Sequence, residues 1–543
     1  MALPALAPSR PAASPSLDAD ARLIDRLGAE ACLQHRVVPL RRAGAVCLVG
    51  ASGVVPEGVY ACLGPVRTVA MAEDAVASAV TSRRRQAMIR RAETLVPLAQ
   101  SCRRMAPRGR RLTFAAVLAT LSVTLAVAPQ ASLTALTAAA VLVLLANTAL
   151  TARVMLAGLD RRHPPHVAVV HPPVVSLLVP LLRESEVAET LLARLARLDY
   201  PRNRLDLCLV VEEDDLLTQA TVARAGLPHW ARLIRVPRGT VRTKPRALNY
   251  ALPFCRGSVI GIYDAEDAPE PDQIWKVVRH FHARGPDVAC LQAALDTYNP
   301  RQSWLTRGFT LDYAIWFRVI LPGLAAAGLV LPLGGTSVFF RRTALERVGA
   351  WDAHNVTEDA DLGLRLARHG FRTELVDSTT REEAGARPWV WVRQRSRWIK
   401  GYAMTYVVHM RDSVRLWRDL GGRRFVGVQI LFLGAVLGFL LMPTLWVAAL
   451  YCLGAPVPWA SALPGLDPWL LPTLGGCALV RLAAGICAIG LRGPPVRTTW
   501  LPLLPFYFAL GFAAAVKAMH ETLAAPFFWD KTAHGTLSRR RRR

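Results

Sequence analysis

Lysine is scarce in this chain: Lys244, Lys276, Lys400, Lys517 and Lys531 are the only ones among 66 basic residues. A protein that otherwise relies on arginine keeps lysine where a compact ammonium matters. Paired cysteines are lacking too. The ten cysteines stand singly, with no Cys-x-x-Cys and no zinc spacing. That pattern excludes a zinc module, gives no argument for disulfides, and reads as buried or lipid-facing thiols. Acidic residues number 40, leaving a net charge of +26. Such an excess can mark a nucleic-acid partner, but no aromatic-basic motif of that kind is present. The arginines instead flank apolar blocks, as in Arg103, Arg104, Arg108, Arg110 and Arg111 before the first block and Arg161 and Arg162 after it. This is the positive-inside pattern of a membrane protein, with no nucleic acid as partner.

What is present in quantity is hydrophobic sequence, at 52%. Leu112 to Leu156, Phe425 to Tyr451 and Trp469 to Ile489 each reach the roughly 20 apolar residues that cross a bilayer. The first block predicts a hairpin over 112–157, turning at Pro129-Gln130. It begins too far along the chain to be a cleavable leader. Residues 1–20, rich in Ala, Pro and Ser, read as disordered. Residues 21–105 read as a small α+β accessory domain, with a helix over Arg22–Leu33 and short strands at Val46–Val49 and Val66–Val69. A faint resemblance to the N-terminal domain of type II secretion ATPases implies a regulatory or secretion partner for it.

The C-terminal part, 411–543, reads as membrane helices and a basic tail. Trp500 to Val516 holds Pro502 and Pro505, and Lys517 follows. With Arg539 to Arg543 favouring the cytoplasm, that segment is expected to be re-entrant or interfacial, not a full crossing.

Between the apolar blocks, residues 168–410 alternate strand-like and helical runs. Val174–Val179, Leu205–Val211, Leu233–Val236 and Val259–Tyr263 read as strands, with a helix over Glu184–Leu198. Alternation of this kind predicts a parallel sheet, a Rossmann-like α/β domain inserted between transmembrane helices. Ligands of open α/β sheets sit at the carboxyl ends of strands. Two acidic clusters fall there: Glu212-Glu213-Asp214-Asp215 and Asp264-Ala265-Glu266-Asp267.

Carboxylates at a strand end suit a hard divalent cation, which binds through one or two of them plus phosphate oxygens. Thr357-Glu358-Asp359 opens a helical stretch, with Thr357 as the expected N-cap. A carboxylate in a first helical turn stays ionised and can accept a proton. Gln394, Arg397 and Trp398 stand at i, i+3 and i+4, on one helix face. Arginine meets a diphosphate as a fork, and tryptophan offers a flat surface to a sugar.

These motifs, in this order and spacing, resemble the membrane-bound family 2 glycosyltransferases that include cellulose, chitin and hyaluronan synthases. The resemblance implies a GT-A-like cytoplasmic domain at a bacterial inner membrane. It would move a sugar, with inversion, from a nucleotide-sugar donor to a glycan acceptor. It also implies that Asp264 with Glu266 or Asp267 holds Mg²⁺ or Mn²⁺, and that Asp359, beside Glu358, is the catalytic base. Glu213 or Asp214 would meet the nucleoside base, where relatives often carry Asp-Asp. Lys244, in Thr243-Lys244-Pro245-Arg246-Ala247-Leu248-Asn249, would approach the donor. Gln394, Arg397 and Trp398 form the QxxRW motif, and Thr336 lies in the acceptor-side loop Gly334-Gly335-Thr336-Ser337. Phe528-Trp529-Asp530-Lys531-Thr532 resembles a segment found in bacterial relatives, with no chemical role attached.

Overall fold

The computed structural model describes residues 18–105, 107–160, 167–183, 187–456, 467–491 and 496–528. Most of the expected disordered N-terminus, the Arg539–Arg543 tail and Trp529–Thr532 lie outside the described residues. The chain divides into two compact units, 1–91 with 252–255, and 92–251 with 256–543.

In the first unit, the helix expected over Arg22–Leu33 is two helices, Ala21–Leu27 and Ala29–His35. Gly28 between them has φ +90°, a conformation that a helix cannot continue through. Three strands follow, β1 (Val37–Ala43), β2 (Val46–Ala51) and β3 (Val66–Ala70). β1 pairs antiparallel with β2, and β2 parallel with β3. Leu23, Val37, Cys47, Val49, Val59 and Leu63 form the core.

The second unit is built on an eight-stranded sheet of β4 (Val175–Leu181), β5 (Leu205–Glu212), β6 (Ala231–Val236), β7 (Val259–Ile262), β8 (Ala268–Pro269), β9 (Val288–Thr297), β10 (Val338–Arg341) and β11 (Arg372–Glu382). Their order is β6-β5-β4-β7-β10-β9-β11-β8. The β4 to β7 half is parallel, as the alternation predicts. The other half is mixed: β10 runs antiparallel to both β7 and β9, while β11 is parallel to β9. A four-residue strand entered from a Gly-Gly turn carries no periodicity that fixes its direction, so the sequence reading missed it. β5 is buried throughout, which is why it reads as an unbroken apolar run. Leu177, Val179, Leu209, Val259, Val277 and Phe339 fill one side.

A second core joins the sheet domain to helices Trp304–Ile315, Pro388–His409 and Leu504–Ala524. Among the described residues, five helical stretches are long and apolar enough to cross a membrane: 129–157, 304–326, 388–440, 469–490 and 498–524. Trp304–Ala326 is 67% buried in protein, against 11% to 33% for the other four, so it serves more as core than as a lipid-facing surface.

The first apolar block forms two helices, Pro107–Val127 and Pro129–Ala157; the break falls at Ala128, one residue before the expected turn at Pro129-Gln130, and the first helix begins five residues before the expected start at 112. The single crossing expected over Phe425–Tyr451 is interrupted at Leu441, where Pro443 begins a new helix, Met442–Cys452. The segment expected to end at Val516 continues as helix to Ala524, because Lys517 is paired with Glu521 one turn on. By length it is sufficient to cross.

Helix Glu358–Arg368, which carries Glu358 and Asp359, lies against the main chain at Leu331. A Cβ at Gly363 would stand 2.0 Å from the Leu331 carbonyl oxygen. Backbone cannot yield as a side chain does, so Gly363→Ala is expected to cost about 2–3 kcal/mol. Thermal unfolding of the detergent-solubilised protein checks this, and an unchanged Tm would show that the helix is not packed this way.

Candidate active site

β7 ends at Ile262, and the chain turns through Asp264–Asp267. The Asp264 amide donates to Asp267 Oδ2 at 2.8 Å and to Thr336 Oγ1 at 3.1 Å. The Thr336 hydroxyl in turn donates to Asp267. Asp267 is 0% exposed and is the internal acceptor of this turn. Burial and the neighbouring Asp264 push its carboxyl well above the usual carboxylate range. The structure therefore places Asp267 beneath the site, not in it. Asp264 and Glu266 face the cleft.

Lys244 begins helix Lys244–Ala251, and its Nζ donates to Asp264 Oδ1 at 2.6 Å and to the Gly335 carbonyl at 2.8 Å. Burial opposes its charge, but Asp264 and Glu358 outweigh that and hold it firmly protonated. Gly335 is required for a close approach: a Cβ there would lie 2.9 Å from Asp359 Oδ2. Asn249 of the same segment stays out of the cleft. It ties the main chain of Trp351 and Ala92 together, with bonds of 2.7 to 3.1 Å.

Glu358 and Asp359 open their helix inside the cleft. Burial, with the two charges side by side, pushes Glu358 up to about 8. Burial also raises Asp359, to about 6, although the Ala360 amide, Lys244 and Arg397 favour its ionised form. The expected Thr357 cap is not made by its side chain. That hydroxyl is buried without a partner, while the Thr357 amide bonds Asn355 Oδ1 at 3.0 Å and Asp359 Oδ1 accepts from Ala360 at 2.7 Å.

Behind the pair, Asp361 accepts from Arg365 at 2.7 Å and from His409 Nε2 at 2.8 Å. Arg368 donates to His409 Nδ1 at 2.8 Å. A guanidinium cannot accept, so His409 is the neutral Nε2–H tautomer. This chain of bonds fixes the helix that presents Asp359.

Gln394, Arg397 and Trp398 reach the cleft from helix Pro388–His409. The Trp398 ring stacks on Tyr313, centroids 6.1 Å apart and planes 25° from parallel. Glu382, which the sequence reading passed over, and Glu212, the first residue of the acidic cluster after β5, also line the cleft. Glu382 ends β11 and takes a hydrogen bond from Tyr313; burial and the acidic turn opposite push its carboxyl well up. Its position at a strand end was the signal available.

Glu212 occupies the place expected for Glu213 or Asp214. Both Nη1 contacts from Arg246 to its carboxylate are 3.3 Å. Glu213 and Asp214 are exposed, and Asp214 pairs with Arg242 at 3.0 Å. β5 extends one residue further than read, so the facing residue is Glu212. Asp215 caps the helix Leu216–Ala225.

The acidic donors suit a hard cation. Among the described residues no three His, Cys, Asp or Glu side chains are grouped to hold a metal. Asp264 and Glu266 therefore fit a cation whose remaining ligands are phosphate and water oxygens.

The chain is similar to several known proteins. Residues 172–401 match the family described as "Glycosyltransferase like family 2". The beta-monoglucosyldiacylglycerol synthase of Synechocystis sp. is 28% identical over 390 residues, 67% of this chain and 76% of that protein. The protein of that name from Trichormus variabilis is 27% identical over 240 residues, 43% of this chain and 50% of its own length. Among solved structures, a mannosyltransferase from Pyrobaculum calidifontis, in complex with GDP-Man and Mn²⁺, is 20% identical. It covers 66% of this chain and 98% of its own, with a TM-score of 0.47. The chain is a glycosyltransferase, and its residues 172–401 are similar to the family 2 domain.

The two motif helices meet at Gly401, where a Cβ would lie 2.0 Å from Thr357 Oγ1 and 2.4 Å from its Cγ2. Gly401→Ala is expected to lower Tm and transfer together. Adding Thr357→Ala removes the two nearest of these atoms and leaves the Thr357 Cβ, which would lie at 2.6 Å, so it should restore part of the lost Tm. Absence of that rescue would place the crowding elsewhere.

Proposed function

We propose that this enzyme transfers a sugar, with inversion, from a UDP-linked donor to a growing exopolysaccharide chain at the bacterial inner membrane, its cleft on the cytoplasmic side. The observation that carries this reading is the convergence of Asp359, Lys244, Asp264, Glu266, Arg397 and Trp398 on one cleft. Asp359 accepts the proton of the acceptor hydroxyl as the new bond to the anomeric carbon forms and the bond to the nucleoside diphosphate breaks. Lys244 and Arg397 supply positive charge to the departing diphosphate. Trp398 and Tyr313 give the acceptor sugar an aromatic face. Asp264 and Glu266 would hold Mg²⁺ or Mn²⁺, which when bound neutralises charge on the leaving group. Glu212 takes the donor-base role first given to its neighbours.

A second reading makes the acceptor a lipid, favoured by the names of the two cyanobacterial relatives. A retained scaffold without catalysis has no support in so complete a set of cleft residues. Radiolabelled transfer in membranes separates the first two readings: product that stays with the insoluble or aqueous polymer supports the first, and label extracted into organic solvent supports the second.

Asp359→Asn keeps shape and loses basicity. Transfer is expected to fall about 100-fold or more while nucleoside diphosphate binding changes little. In the native enzyme, activity should appear as pH rises through about 6, because the base must be deprotonated. Retention of a tenth of native turnover by the variant, or of this pH limb, would remove Asp359 from the role.

Glu212→Gln is expected to weaken donor binding about tenfold, the value of one hydrogen bond to a charged group. Glu213→Ala and Asp214→Ala should leave it within about twofold. Equilibrium binding of UDP distinguishes them, and the reverse ranking would return the role to the exposed pair.

A further inference from the structure

Arg395, inside the QxxRW run but not one of its named residues, turns away from the ligand side. Its guanidinium pairs with Asp312 of helix Trp304–Ile315. It donates to the Tyr507 hydroxyl of helix Leu504–Ala524 at 3.2 Å, and that hydroxyl lies 3.4 Å from the same Asp312 oxygen. The guanidinium carbon lies over Trp398 at 4.7 Å and over Trp391 at 5.0 Å. The next residue after Asp312 is Tyr313, the ring stacked on Trp398. One cation thus fixes both halves of the aromatic face, Trp398 through its own ring and Tyr313 through the adjoining Asp312. Trp391 also packs edge-on to Tyr507, with centroids 5.1 Å apart, so the contact extends to a helix able to cross a membrane.

A half-buried ion pair is a poor source of stability, because desolvation offsets most of the attraction. Its established use is to specify one arrangement among several. Arginine suits this place because a planar fork can meet a carboxylate and a hydroxyl while lying on two rings. A lysine ammonium meets one partner at a time.

We propose that Asp312, Arg395 and Tyr507 are positioning residues for the acceptor: together they set the Trp398–Tyr313 face, and they link it to helix Leu504–Ala524. This rests on the reading of that face as the acceptor's surface. It assigns the three residues no part in donor binding or bond breaking. Displacing the helix Leu504–Ala524, as a passing product or a change of bilayer would, should then alter acceptor use through Arg395.

The test uses the full-length enzyme in native membranes, with its endogenous acceptor. The donor is whichever radiolabelled nucleotide-sugar of a UDP- and GDP-sugar panel labels product best. The readout is the partition of donor sugar between product and water. Arg395→Lys and Asp312→Asn are expected to lower the transfer-to-hydrolysis ratio about tenfold, with hydrolysis within about twofold of native and Tm retained. Tyr507→Phe should lower the ratio about threefold, since it loses one hydrogen bond.

Arg395→Lys combined with Trp398→Ala should be no worse than Trp398→Ala alone, because both act through one surface. Equal loss of transfer and hydrolysis, or full additivity in the double variant, would overturn the proposal. If Trp398→Ala lowers the ratio and Arg395→Lys does not, the acceptor face stands and the positioning role falls. If Trp398→Ala itself leaves the ratio unchanged, the face does not hold the acceptor and both fall.

Discussion

The ion pair of Lys244 with Asp264 is what allows so many carboxylates to share one cleft. Asp264, Glu266, Glu358, Asp359, Glu382 and Glu212 all line it, and burial makes each charge costly. Lys244 is within 2.6 Å of Asp264, and its field also acts on Glu358 and Asp359. Burial, joined at Glu358 and Glu382 by repulsion from neighbouring carboxylates, appears as raised proton affinity at Glu358, Asp359 and Glu382. A cleft charged in this way is prepared for a ligand that brings phosphate and cation together, and for a base that works near neutral pH.

The rest of the unit is arranged to hold that concentration in place. Asp267 and Thr336 fix the turn of Asp264. Asp361, His409 and Arg368 fix the helix of Asp359. Gly335, Gly363 and Gly401 each stand where another residue's atoms leave no room for a Cβ. These small residues let two motif helices and two loops converge within contact of one another, which larger side chains would prevent.

Much of this was legible in the sequence, and what was missed has identifiable causes. The parallel strands β4 to β7 and the acidic turn after β7 follow from buried apolar runs ending in carboxylates. The placement of Asp267, and of Glu212 rather than Glu213 in the cleft, was not legible, because adjacent acids differ by which way one residue of a turn faces, and composition does not record that. Glu382 lacked a motif to announce it. The antiparallel β10 is too short to show a direction. The packing of Trp304–Ala326 as core was masked by an apolar composition that suits core and bilayer alike. Gly335 reads as a loop residue, and neither it nor Gly401 shows its packing role in the sequence, because that role depends on the opposing Asp359 and Thr357.

The most direct test of the account is release of nucleoside diphosphate, matched one for one with transferred sugar, when membranes holding the native enzyme are given a panel of nucleotide-sugars. The account predicts stoichiometric release from at least one UDP-sugar, dependent on Mg²⁺ or Mn²⁺ and lost in Asp264→Ala. Undiminished transfer by Asp264→Ala, or transfer that persists in excess EDTA, would contradict it.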